Sequence, residues 1–215
     1  NINIGTLNKN TIPSMFLAGK KANELGHIVL LDPVGAGASR LRTDTANRLM
    51  QEVRFDAVRG NISEIKTLCT GSGSTKGVDA DAVDAVTEAN LDNGVQLVKT
   101  FAAQTGCIIA VTGAIDLVSD GERCWCIRNG RAEMSRITGT GCQLSALMTA
   151  FLVANPDRKL DAAAAAVCMM GLAGEIGWAN MQPGDGNSTY RNRIIDAIFN
   201  MTGDALEEGA KYELR

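Results

Sequence analysis

Short apolar runs alternate with helical patterns through the first half of the chain, and this alternation constrains the fold more than any other feature. Candidate strands cover residues 1–4, 27–32, 56–58 and 107–112. Candidate helices between them cover residues 13–25, 43–53, 63–69 and 91–105. Strands separated by helices pair in parallel, with helices covering the sheet. The pattern therefore predicts an α/β fold with a mostly parallel central sheet and helices on both faces.

The second half of the chain has a different pattern. Residues 116–121 and 123–130 predict an antiparallel hairpin series with Asp-Gly and Asn-Gly turns, which would add an antiparallel edge to the sheet. Beyond Gly141 the sequence predicts a chain that is nearly all helix, with helices at 142–154, 160–180 and 187–208. The 215 residues fit a single domain with a sizeable core.

Composition argues against several classes of protein. The net charge of −3 and the absence of a Lys/Arg run give no electrostatic signal for a nucleic-acid partner. No stretch approaches 18 uninterrupted apolar residues, so we expect no membrane span. The six cysteines lie mostly in apolar segments and fit reduced thiols, and hence a cytoplasmic location. With His27 as the single histidine, a zinc site is not expected.

A glycine-rich turn carries the most specific chemical signal. The sequence Arg136-Ile-Thr-Gly-Thr-Gly-Cys142 leads directly into an apolar helix. Gly139 and Gly141 allow a ligand to approach the backbone closely, and the N–H groups of residues 140–143 would point outward at a helix N-terminus. Such a terminus suits a phosphate or a phosphoryl group in transfer. An ordinary strand-to-helix turn is the alternative interpretation of the glycines alone.

Three further motifs follow candidate strands. Asp32 begins Asp32-Pro-Val-Gly-Ala-Gly-Ala at a strand end, where ligands of open α/β sheets bind, and it could organise the water shell of Mg²⁺. In Arg59-Gly-Asn-Ile-Ser-Glu64, Arg59 can bind phosphate oxygens and Glu64 could lie near Mg²⁺. Alternatively, Asn61 and Glu64 form a capping box, and the two interpretations are compatible.

Thr112 ends another strand, and its hydroxyl can donate a hydrogen bond to a phosphate. Taken alone, this position is only a weak signal.

Taken in order, these motifs resemble those of the hydroxyethylthiazole kinase family. The resemblance rests on the segments already quoted together with Gly77-Val-Asp79, Val111-Thr-Gly113, Asp116 and Ser119-Asp-Gly121. It covers essentially the whole chain. Cys142 is its most specific member, because other ribokinase-like enzymes usually have Asp at this position.

The resemblance implies a transferase that moves the γ-phosphate of ATP, with Mg²⁺, onto the hydroxyl of hydroxyethylthiazole in thiamine biosynthesis. It implies a ribokinase-like three-layer sandwich and a homotrimer with active sites between subunits. Cys142 matches the catalytic position, and Gly139 matches a substrate contact. The nucleotide-side positions are Arg59, Asn61, Thr112, Gly139, Thr140 and Gly141. The metal-side carboxylates are Asp32 and Glu64.

One feature departs from the family pattern. Family members begin with a segment that carries thiazole contacts and ends near a sequence like Asn3 to Leu7, whereas this chain starts at a strand-like Asn1. We therefore expect roughly 40–70 further residues before Asn1 in the natural protein, the scale of one or two βα units. The alternatives are another ribokinase-like vitamin kinase, such as a hydroxymethylpyrimidine kinase, a hydrate dehydratase of that fold, or a nucleotide-binding regulatory protein without turnover.

Overall fold

The computed structural model of the protein describes residues 1–71 and 85–215. The sequence predicts a loop at 70–79, and most of it, including the Gly77-Val-Asp79 motif, lies outside the described residues. The strands are β1 (Ile2–Asn3), β2 (Leu30–Asp32), β3 (Ala57–Asn61), β4 (Ile108–Thr112), β5 (Asp116–Ser119), β6 (Cys124–Ile127) and β7 (Tyr212–Leu214). The α-helices are α1 (Thr11–Glu24), α2 (Arg40–Glu52), α3 (Ile62–Gly71), α4 (Leu91–Thr105), α5 (Thr140–Ala154), α6 (Lys159–Ala179), α7 (Asn187–Asn200) and α8 (Gly203–Gly209).

The described strands form one sheet in which the spatial order follows the chain order from β1 to β7. Strands β1 to β4 are parallel, and β5, β6 and β7 continue the sheet in antiparallel pairing. This confirms the predicted parallel sheet and its antiparallel edge. The chain after Gly141 is mostly helical, as predicted, but the sequence analysis did not predict β7, which returns to pair with β6.

Alternating residues of the strands face two separate hydrophobic layers. Leu31, Val58 and Ile109 pack with helices α1 to α4, whereas Leu30, Ala57 and Ile108 pack with α5, α6 and α7. Parallel crossovers share one hand, so strands added in one direction place their connecting helices on the same face. The helices after the hairpin therefore cover the opposite face, and the protein has three layers.

The turns explain two further differences from the predicted elements. Asp120 and Gly121 form the predicted hairpin turn, but Asn129-Gly130 leads the chain out of the sheet into a short 3₁₀ helix, Ala132–Arg136. The predicted helix at 187–208 is two helices. The Thr202 hydroxyl accepts a hydrogen bond from the Ala205 N–H (3.2 Å) and so caps α8 as a new helix.

One helix within the described residues has the length and hydropathy of a membrane span. It covers Pro156–Ala179, and 67% of its most apolar 18-residue window is buried inside the protein. In the fold it lies beneath the sheet and between α5 and α7. A core helix of this kind passes the same test of length and composition, so this feature is weak support for a membrane location.

Helix α6 supports the segment that follows β6. A Cβ atom added at Gly171 would lie 2.7 Å from backbone atoms of Asn129, so the segment rests directly on the helix backbone. The Glu175 carboxylate accepts a hydrogen bond from the Gly130 N–H (2.9 Å). The Asn129 side chain accepts from the Lys211 N–H (2.7 Å) next to β7. Residues 129–136 are therefore fixed to both α6 and the C-terminal strand.

We expect Gly171→Ala to destabilise the protein by about 1–3 kcal/mol, because overpacking against backbone atoms forces a backbone shift. Urea unfolding followed by tryptophan fluorescence measures this difference. Gly203→Ala is the matched control, since nothing lies within 4 Å of its added Cβ, and it should change stability by less than about 0.5 kcal/mol. Equal stability of the two variants would show that residues 129–136 do not depend on close contact with α6.

Candidate active site

The polar residues singled out from the sequence meet at the carboxyl edge of the parallel strands. Asp32 is the last residue of β2, Arg59 lies in β3, and Thr112 is the last residue of β4. The N-terminus of α5 reaches the same edge, because Gly141 in its first turn contacts the Arg59 side chain. The predicted convergence of these motifs is therefore present in the structure.

The Arg59 guanidinium joins these segments. Its Nη2 donates to the Thr112 Oγ1 (2.7 Å), and its Nη1 lies 3.7 Å from the Asp32 Oδ1. The side chain is only 11% exposed. A Cβ atom at Gly141 would lie 2.6 Å from Nη1, so a residue with a side chain cannot occupy this position without displacing the arginine. The close approach of Arg59 therefore explains why glycine is needed at position 141, a reason that the sequence alone did not indicate.

Asp32 is completely buried and only partly hydrogen-bonded. Its Oδ2 accepts from the Asn3 amide (2.7 Å), whereas Oδ1 has no hydrogen-bond partner. The hydroxyl of Ser145, also fully buried, faces Asp32 and favours its ionised form, although no hydrogen bond of ordinary geometry joins the two. Burial raises the pKa of Asp32, while Arg59 opposes that rise. The site therefore holds a desolvated carboxylate whose Oδ1 atom faces the Arg59 guanidinium.

Glu64 and Asn61 form the capping box that was the alternative interpretation of this motif. Glu64 Oε2 accepts from the Asn61 N–H (2.8 Å), and Asn61 Oδ1 accepts from the Glu64 N–H (2.9 Å). The second oxygen, Oε1, accepts from the Gly35 N–H (2.8 Å) and so fixes the loop after β2. Each oxygen keeps a lone pair, so the metal-side role of Glu64 stays a prediction.

Cys142 lies in the first turn of α5, which begins after Gly139 in a left-handed conformation (φ 98°). Among the six cysteines of the chain, Cys142 alone is exposed. Its sulfur lies 3.2 Å from the Asn3 side-chain nitrogen. The Gln143 N–H donates to the Gly139 carbonyl, so the predicted set of outward-pointing amides shrinks to residues 140–142.

A cleft of about 710 Å³ opens beside these groups. Its polar end is formed by Arg59, Thr112 and the first turn of α5. Its apolar lining includes Met134, Leu144, Val167 and Met170. Met170 is buried in the core and also lines the cleft. A cleft of this volume with apolar walls and a few polar groups is typical of a small-molecule site.

Sequence analysis included Asp116 in a motif but did not assign it to the site. It lines the cleft, and its Oδ1 accepts from the Gly113 N–H (2.8 Å). Burial raises the pKa of the Asp116 carboxyl to about 7, although the Gly113 hydrogen bond and Arg59 oppose the rise. Asn3 and Ser145 were also missed, because only the folded chain brings them next to Asp32.

Comparison with known proteins identifies the family. The model of the Hydroxyethylthiazole kinase family matches residues 1–204. This chain belongs to the hydroxyethylthiazole kinase family. It is 54% identical to the hydroxyethylthiazole kinase of Clostridium acetobutylicum, over 99% of this chain and 78% of that protein. It is 45% identical to the hydroxyethylthiazole kinase of Clostridium beijerinckii, over 99% of this chain and 75% of that protein.

Solved structures place this hydroxyethylthiazole kinase family member among ribokinase-like folds. The hydroxyethylthiazole kinase of Pyrococcus horikoshii OT3 superposes with a TM-score of 0.85 at 30% identity, covering 100% of this chain and 76% of that one. Pyridoxal kinase from Staphylococcus aureus, in complex with AMP-PCP, gives 0.57 at 18% identity over 98% of this chain and 71% of that one, which shows the fold alone. The predicted fold class and family are confirmed.

The Asp116 carboxyl should make stability depend on pH. Its pKa is raised in the folded state, so protonation favours folding, and the free energy of unfolding should fall as pH rises from about 4 to about 7. Asp116→Asn should remove that part of the slope, since it cannot ionise. Urea unfolding at a series of pH values measures both proteins. Parallel stability curves for the two would contradict the raised pKa.

Proposed function

We propose that this protein phosphorylates the hydroxyl of 4-methyl-5-(2-hydroxyethyl)thiazole with ATP, giving the thiazole phosphate for thiamine phosphate synthesis. Family membership supports the reaction. The observation that carries the proposal is the convergence of Arg59, Thr112 and the α5 N-terminus at one end of the cleft. A trimer with active sites between subunits and a cytoplasmic location belong to the same proposal and rest on the family resemblance.

Positioning and electrostatics supply most of the catalysis in phosphoryl transfer. The backbone N–H groups of Thr140, Gly141 and Cys142 precede the first helical hydrogen bond of α5 and suit phosphoryl oxygens. Arg59 adds a buried cation to the same end of the cleft, and Thr112 adds a hydroxyl. Gly139 leaves open space beside this turn, because nothing lies within 4 Å of a Cβ added there.

The donor set at the strand ends fits Mg²⁺. Mg²⁺ keeps several waters and binds through one or two carboxylates together with substrate phosphates. The unpartnered Oδ1 of Asp32 supplies one hard oxygen donor, and Glu64 supplies a second carboxylate beside the same loop. Within the described residues no group of three or more His, Cys, Asp or Glu could hold a metal, so substrate phosphates and water would have to complete this site. When bound, the ion neutralises phosphate charge.

Cys142 accepts the proton of the attacking hydroxyl in this proposal. Its sulfur is exposed at the start of α5, where a helix dipole favours negative charge. In a loose transition state for phosphoryl transfer, abstraction of the hydroxyl proton by a base contributes little to the rate. We therefore assign Cys142 a contributing role and not an obligatory one.

A coupled assay of ADP release tests the function directly. We expect turnover that depends on both ATP and hydroxyethylthiazole. Turnover with hydroxymethylpyrimidine in place of the thiazole would instead favour another vitamin kinase of this fold. ATP binding without alcohol-dependent turnover would overturn the assignment in favour of a regulatory protein.

Arg59→Ala should lower the catalytic efficiency with ATP, because it removes a charge-assisted contact worth about 1.5–3 kcal/mol. This corresponds to a loss of about 10–150-fold in kcat/KM for ATP. The variant should also lower thermal stability, since Asp32 then loses its nearest cation. Arg40→Ala is the control, because this arginine side chain is 94% exposed. Unchanged kcat and KM for ATP would make Arg59 a purely structural residue.

Substitutions of Cys142 test its role as proton acceptor. Cys142→Ala should lower kcat by up to about 10²–10⁴-fold if base catalysis contributes fully. Cys142→Asp should keep activity or raise it, because a carboxylate is ionised at pH 7 whereas an ordinary thiol is mostly protonated. Steady-state kinetics measure both, with Val153→Ala, at an exposed position near the other end of the same helix, as the control. Wild-type turnover by the Cys142→Ala variant would show that Cys142 is only a small residue that fits the turn.

A further inference from the structure

The Asn3 side chain connects two residues of the proposed site that are far apart in sequence. Asn3 ends β1 and pairs with Asp32 of β2 in the sheet register. Its Nδ2 lies 2.7 Å from the Asp32 Oδ2 and 3.2 Å from the Cys142 Sγ. An amide nitrogen carries two hydrogens, so it can donate to both atoms at once. The carboxylate and the thiol are therefore linked through one rigid group.

The orientation of this amide is fixed by a third contact. The Asn3 Oδ1 accepts a hydrogen bond from the Gly5 N–H (2.8 Å), which requires oxygen at that position. A flipped amide would place its nitrogen against the Gly5 N–H and its oxygen against the Asp32 carboxylate, and so would lose the hydrogen bonds to Asp32 and from Gly5. Gly5 also leaves room for this contact, since an added Cβ would lie 2.9 Å from Oδ1.

We propose that Asn3 is a positioning residue that holds the Cys142 sulfur in one rotamer beside the buried Asp32 carboxylate. The inference rests on the proposed function, in which Cys142 accepts the proton of the alcohol. An exposed cysteine otherwise samples staggered rotamers, and a proton acceptor helps only when it faces the reacting hydroxyl.

Asn3→Asp tests this role because it replaces the amide by a carboxylate and so keeps the shape of the side chain. An aspartate retains the oxygen that accepts from Gly5 but loses both donors, and it places a second carboxylate against Asp32. We expect kcat to fall by about 10–100-fold, the range typical of partners that orient an active-site group. Because Asp32 is on the proposed metal side, Asn3→Ser, which adds no charge there, is the variant in which the KM for ATP should change little.

Asn8→Asp is the matched control. The Asn8 Oδ1 accepts from the N–H groups of Asn10 and Thr11 (2.9 Å each), which an aspartate does equally well. This variant makes the same change of charge five residues away and should keep wild-type kinetics. A loss of activity in Asn8→Asp equal to that in Asn3→Asp would assign the effect to charge alone and overturn the proposal.

Alkylation provides a readout independent of turnover. Cys142 is the one exposed cysteine, so iodoacetamide labelling of the folded protein, located by mass spectrometry, reports on its sulfur. Asn3→Ser, which removes the contact without adding charge, should slow labelling, because the sulfur no longer stays in one rotamer; in Asn3→Asp the new carboxylate would slow it by itself. If Asn3→Asp does not fold, Asn3→Ser, which removes the amide without adding charge, serves for both measurements.

The two measurements separate this inference from the function on which it rests. Lower kcat together with slower labelling supports the positioning role. Wild-type kcat or a wild-type labelling rate in the folded Asn3 variant overturns it. If the unmodified protein shows no turnover that depends on the thiazole, the proposed function fails, and the labelling comparison alone then decides whether Asn3 controls Cys142.

Discussion

The buried guanidinium of Arg59 is the interaction on which the arrangement of this sheet edge depends. A desolvated cation is costly unless charged and polar groups surround it, so the fold must bring partners to it. They come from separate parts of the chain: Asp32 from β2, Thr112 from β4, and Gly141 from the first turn of α5. The contacts of one side chain therefore set the spacing between the strand ends and the helix N-terminus that face the cleft.

The sheet topology makes this convergence possible. Strands β1 to β4 run in parallel and follow one another in space, so their carboxyl ends meet at one edge. Their connecting helices occupy one face, which leaves the opposite face free for α5 and α6. Helix α5 can therefore start at the edge, and α6 can support residues 129–136 on the far wall of the cleft.

Local sequence patterns were enough to predict the strands, most helices and the polar residues at strand ends, because each such residue directly follows an apolar run. They did not predict β7, a three-residue strand whose pairing with β6 depends on the fold. Thr202 was an available signal for the helix break before α8. Asn3 and Ser145 carried no local signal, since their significance arises from contacts with Asp32 across the structure.

The environment of Asp32 shows why sequence patterns alone do not identify residues such as Asn3 and Ser145. Two fully buried oxygens at the site, Asp32 Oδ1 and Ser145 Oγ, lack hydrogen-bond partners, and such groups cost about 1–3 kcal/mol each. A core selected for stability alone would pair them or replace them. In the proposed function these are the groups that would be available to a metal and to phosphate oxygens, which would account for their retention beside the Arg59 cation. Asn3 satisfies the other oxygen of Asp32 and so leaves Oδ1 as the carboxylate atom that faces this role.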